Sequence, residues 1–200
     1  MLVWTCQPDP KIGKITELDE GRAGLAQRRT WMESVRARRP RPTARRSPSE
    51  WTLDGLALGG VLLNCLIITV GWLSLPASVP SHFGFSGTPT TWSGRAVLWL
   101  LPSVSLLIFT GLTVLGRYPH VFNYPWPITT KNADRQYRLA RLLLGWVKLE
   151  VVWLFAYITA GLVEVAKGRA SGLGAWLAPV VTVVLLGTIG ACLLKAYRAR

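Results

Sequence analysis

Apolar residues along this chain fall into four long blocks separated by short polar stretches. A hydrocarbon layer about 30 Å thick requires about 20 apolar residues in a helix rising about 1.5 Å per residue. Four stretches meet that requirement, at about 54–75, 96–115, 142–166 and 173–194. The first carries Asn64 near its middle and the second has no charged residue. The third includes Lys148, Glu150 and Glu164, and so is the least uniform. Pro102 and Pro179 would break a soluble helix, but a membrane bundle can satisfy the carbonyls they release. The pattern predicts an all-α integral membrane domain of four spanning helices over residues 51–200.

Half of the 200 residues are apolar, yet the formal net charge is +13. The two facts agree because charge and apolarity are segregated along the chain. Residues 1–50 hold a large share of the lysines, arginines and acids, with arginine and proline dense in "RARRPRPTARRSPS". Such a segment cannot build a core, so it is expected to be a disordered basic arm. With no folded reader beside it, no nucleic acid partner is expected. Anionic lipid headgroups attract a polybasic segment next to a span by about 1 kcal/mol per basic residue. Met32 offers a second start, which would put the first 31 residues outside the protein.

Basic residues near the span ends set the expected orientation. Arg117, Lys131, Arg135, Arg138 and Arg141 lie between spans two and three, and Lys195, Arg198 and Arg200 follow span four. Only Arg95, Lys167 and Arg169 fall on the other side. Both termini are therefore expected in the cytoplasm, with the 75–94 connector outside. Trp51, Trp146 and Tyr197 suit an inner aromatic belt, and Trp72, Trp99 and Trp176 an outer one.

The connector "LPASVPSHFGFSGTPTTW" concentrates proline, glycine and aromatic residues. Its glycines allow a compact turn, and His82 can titrate or bind a metal. His82 has no companion His, Cys or acid in the loop, so no metal site is expected. The plainer reading is a structured lid. In the middle loop, Tyr118, Phe122, Tyr124 and Trp126 read as interfacial anchors, and Thr130 or Asn132 as a helix cap before Asp134. Arg135, Arg138 and Arg141 form a basic stripe suited to lipid headgroups or an acidic partner.

Glu150, Tyr157 and Glu164 are spaced by seven and share a helix face with Gly161 nearby. Ionisable groups in a span commonly face a bundle interior or a water-filled cavity. This face can therefore line an ion or proton path; the alternative is that Lys148, Glu150 and Glu164 are shallow enough to reach headgroups or water. Gly55–Gly59 and Gly187–Ala191 offer small residues for close helix packing, and Asn64 can bond to another helix. Cys6, Cys65 and Cys192 have no disulfide or zinc spacing. No catalytic motif is present and no cofactor is expected.

The connector string resembles the signature of the bacterial membrane family called domain of unknown function 1648. Leu75, Pro76, Val79, Pro80, His82, Phe83, Gly87, Pro89 and Trp92 match its pattern LPxxVPxHFxxxGxPxxW. The likeness is strong over about residues 51–115. "NYPWPITTKNADRQYRLAR" and "WVKLEVVWLFAYI" resemble the C-terminal half of its short stand-alone members. Thr90 stands where an acid is common in the family. That domain also opens SdpI-type immunity and signalling proteins, which have additional spans. The resemblance implies a multi-pass bacterial plasma-membrane protein of the immunity or sensor kind, without making this chain an immunity protein. Together with the lack of catalytic motifs, the expectation is a non-enzymatic binding, sensing or immunity-type component that meets an extracytoplasmic peptide or partner membrane protein. A small transporter or ion-conducting subunit using the third span is the alternative.

Overall fold

The computed structural model describes residues 39–41, 45–84 and 86–200. The expected arm lies mostly outside the described residues, as do Met32, Cys6 and Phe85. Met1–Arg41 groups apart from Pro42–Arg200. Within the first unit only residues 39–41 are described, with a bend at Arg39.

In the second unit, α1 (Pro48–Gly71) continues as a short 3-10 turn to Ser74. A hairpin of β1 (Ser78–Phe83) and β2 (Pro89–Gly94) follows, and a 3-10 turn at Arg95–Trp99 leads into α2 (Leu100–Leu115). Then come α3 (Ala133–Ala166) and α4 (Leu177–Arg198). Among the described residues, four helices are long and apolar enough to cross a membrane. The helical membrane architecture is as the hydropathy pattern predicts.

The helix starts differ from the expected spans for local reasons. Ser47 takes an extended conformation and its hydroxyl accepts from Glu50 N at 3.4 Å, while Pro48 occupies the first turn. Proline is pre-organised there and lacks only an N–H that would be unpaired anyway. The helix therefore begins before the acids Glu50 and Asp54 and carries both into the bundle. Helix α3 joins the basic stripe and the third span into 34 residues, about 50 Å. Asn132 precedes it without the expected cap, because its Oδ1 accepts from Thr129 N at 2.8 Å instead.

Helices α1, α2 and α3 pack on one another, whereas α4 rests on α3 and has no fully buried residue. The closest approach of α1 and α3 uses glycines other than those expected. A Cβ on Gly60 would lie 2.9 Å from Val152, and one on Gly145 would lie 3.0 Å from Leu53. Gly55, Gly59, Gly187 and Gly190 have nothing within 4 Å of such an atom. The α1 seam is thus one residue, about 100° of helix rotation, away from the stripe read in the sequence. Asn64 does cross helices: its Nδ2 donates to Ser105 Oγ on α2 at 3.1 Å, and both residues are fully buried.

Candidate functional sites at the two ends of the bundle

One end carries the hairpin. The connector is an antiparallel ladder rather than only a compact turn, with Val79 opposite Ser93, Pro80 opposite Trp92 and Phe83 opposite Pro89. Register irregularities flank His82. A two-stranded sheet has only edges, so its prolines cost no ladder that a central strand would need. The turn closes through Gly84 N to Thr88 O and Gly87 N to Gly84 O, both 2.9 Å.

The ladder sorts the motif residues into two groups. Leu75 and Val79 are buried with Ile68, Leu98, Leu162 and Val163, so the hairpin is continuous with the helical core. Pro80 is also buried, and Phe83 and Pro89 are half-buried. Gly87 has φ +76° and its carbonyl accepts from Leu173 N, 2.8 Å away in the α3–α4 connector. A Cβ there would sit 2.7 Å from the Gly174 backbone. Only glycine combines that conformation with that approach. Pro76, His82 and Trp92 face outward, Trp92 with 52% of its surface exposed. Thr90 and Thr91 are exposed beside them.

The other end carries charge. Arg141 does not join Arg135 and Arg138 on the exposed stripe; it is buried, and its Nε contacts both carboxylate oxygens of Glu50 at 3.1 Å. Its position places it a turn deeper on α3, facing α1, where a lone guanidinium would be unstable without that carboxylate. About two turns further on, Lys148 is only 2% exposed. Its Nζ contacts Asp54 Oδ1, donates to Thr113 Oγ1 on α2 at 2.9 Å and lies 4.9 Å from the Phe109 ring centroid. Arg46 Nη1 closes the row on Asp54 Oδ2 at 2.8 Å. These groups bound a cavity of about 20 Å³, the size of one water molecule, and Arg141 Nη2 is buried without a hydrogen-bond partner. Glu50, Asp54 and Thr113 did not stand out in the sequence. The signal that could have found them is an acid at one helix turn and another a turn later, opposite Arg141 and Lys148 seven apart.

The Glu150, Tyr157 and Glu164 face does not point into the α1–α2–α3 core. Glu150 Oε1 accepts from Thr188 Oγ1 on α4, and its Oε2 is buried without a partner. Tyr157 stacks edge-on with Trp176 at 5.7 Å, while Glu164 pairs at 3.6 Å with Arg169 in a largely exposed contact. Glu150 and Tyr157 line an apolar groove of about 260 Å³ between α3 and α4. The aromatic row of the middle loop is only partly interfacial. Tyr118 is exposed, but Tyr124 packs on Tyr137 at 5.9 Å and Trp126 on Tyr197 at 6.2 Å.

An uncharacterized protein of Archaeoglobus fulgidus is 38% identical to this chain over 94 residues, which cover 40% of the chain. The chain spans about half the length of that relative. No solved structure matches. Residues 59–106, running from the middle of α1 through the hairpin into α2, match the family model described as a domain of unknown function (DUF1648), in agreement with the motif resemblance.

Proposed function

We propose that this membrane protein is a non-enzymatic binding or sensing component of a bacterial plasma membrane. Its termini lie in the cytoplasm, and the hairpin faces an extracytoplasmic peptide or a partner membrane protein, as an immunity-type protein would require. One observation carries this reading. Leu75, Val79 and Pro80 anchor the hairpin in the core, so His82, Thr91 and Trp92 are presented on a scaffold that is already ordered. An exposed aromatic on a fixed scaffold loses little side-chain freedom on binding. The basic excess at the opposite end supports the sidedness through the positive-inside rule.

Two measurements test the proposal. Ser86→Cys on intact cells should react with an impermeant thiol reagent; labelling only after the cells are opened overturns the outward hairpin. A photo-crosslinking residue at Thr91 should trap a discrete partner in membranes, and His82→Ala should weaken that product at unchanged protein level. A crosslinking pattern identical to one from the lipid-facing position Leu107 removes the binding role.

Glu150 favours a second reading, a small transporter or ion-conducting subunit. Its Oε2 is buried without a partner within a spanning helix, and such groups often mark transport paths. Purified protein in liposomes would then carry an ion or proton flux that falls with Glu150→Gln. Flux no greater than that of empty vesicles removes this reading.

A further inference from the structure

At the charged end, roughly 40 Å along α3 from the hairpin contacts, the middle loop closes over a separate cavity. Its volume is about 140 Å³, and its walls come from residues 122–126, the first turns of α3 and the last turns of α4. A cavity of about 150 Å³ lined only by hydrocarbon stays dry and takes up benzene. This one has almost the same volume but a different lining. Gln136 is 1% exposed, and its Nε2 donates to the Ala196 carbonyl at 2.9 Å. That bond fixes the amide orientation, since a carbonyl can accept only from the NH2 group. Oε1 is left as a buried acceptor without a partner, and the Trp126 indole N–H is a buried donor without one. Both residues line the cavity, while most of the remaining wall is apolar, including Leu139 and Leu143.

An unsatisfied buried acceptor and an unsatisfied buried donor on one small cavity call for a group that both donates and accepts. A hydroxyl does both with a single oxygen. We propose that this cavity is a binding site for a small neutral molecule of about phenol size, an aromatic or compact apolar body bearing one hydroxyl. The hydroxyl donates to Gln136 Oε1 and accepts from Trp126 Nε1, while the ring fills the apolar volume. No charged side chain lines the cavity, so an ionised ligand would be desolvated there without compensation. The site is independent of the hairpin and of the proposal made for it.

Cys192 lines the same cavity and reports on its occupancy. The experiment uses the full chain in lipid nanodiscs with Cys6 and Cys65 replaced by serine. Alkylation of Cys192 is followed against increasing phenol or toluene, which differ by a hydroxyl in place of a methyl. Phenol should slow the reaction. Its half-protecting concentration should rise about tenfold, the size of one to two net hydrogen bonds, in Trp126→Phe or in Gln136→Leu. Toluene's should not move, and because each compound is compared with itself, partitioning into lipid cancels. Three outcomes overturn the proposal: no protection by phenol, a phenol value unchanged in both variants, or an increase that toluene shares. Should Gln136→Leu fail to reach the membrane, the conservative Trp126→Phe still decides.

Discussion

The two ends of the bundle are held by different physics. At the hairpin end the contacts are apolar and backbone-to-backbone: Val79 and Leu75 against Leu162 and Val163, and Gly87 against Gly174. At the other end the same helix, α3, is held by Arg141 on Glu50 and Lys148 on Asp54. Apolar contact is limited by shape, so any added atom costs. Buried ion pairs are limited by matching, so removing one partner costs more than removing both. The two ends should therefore respond to opposite kinds of substitution, and that contrast can be broken at either end.

The largest effect is expected at Arg141. Arg141→Met leaves Glu50, whose side chain is only 6% exposed, without its cation, and should cost about 3–5 kcal/mol in unfolding from mixed micelles. Glu50→Leu combined with Arg141→Met should recover most of that loss, since neither charge is then stranded. A double variant as unstable as the single one would mean that Arg141 acts through its shape, as the hairpin end does, and the contrast would fail.

Gly87→Ala comes next. The positive φ alone costs about 1–2 kcal/mol for a residue with a Cβ, and the approach to Gly174 adds to it. No second substitution at an ionisable position should rescue it. A cysteine at Leu173 should become more reactive in the same variant, because its N–H bond to the Gly87 carbonyl is disturbed. Stability equal to the parent protein would show that the α3–α4 connector yields without cost.

What the sequence revealed follows the same division. Hydropathy located all four helices because spanning a hydrocarbon layer is a requirement on each segment by itself. The hairpin was harder to see. Prolines at 76, 80 and 89 obscure the alternation of Val79, Ser81 and Phe83, and proline is tolerated only because this sheet has no central strand. The ion pairs were hidden for another reason: Glu50 and Arg141 are 91 positions apart. Glu50 reads as the end of a basic arm until Ser47 and Pro48 start the helix ahead of it. Arg141 reads as the third member of an exposed stripe, because a spacing of three residues keeps it near the face of Arg135 and Arg138. Burial is set by where α1 lies, and no local pattern carries that information. Asn64 was legible as a cross-helix donor because a lone amide in an apolar run has few alternatives, though its partner Ser105 was not.

That bond between the ends provides a smaller test. Asn64→Leu should cost about 0.6 kcal/mol, the typical coupling of a hydrogen bond between membrane helices. A double-mutant cycle with Ser105→Ala isolates it. Coupling well above that value would make the middle of the bundle a third polar anchor and blur the division between its ends.

The smallest effect on stability, and the most informative for function, belongs to the outward half of the hairpin. His82→Ala and Trp92→Ala remove exposed atoms that the core does not use, so each should change unfolding free energy by no more than about 0.5 kcal/mol. Val79→Ala, on the same hairpin but wholly buried, should cost several times more. If the hairpin is only a brace, all three variants should affect the protein through stability alone, and partner crosslinking should follow protein level. If its outer face is the working surface, Trp92→Ala should abolish crosslinking at full stability, whereas Val79→Ala should reduce it only in proportion to folded protein. The two halves of one motif would then separate in a single experiment, the inner residues by their effect on folding and the outer ones by their effect on recognition.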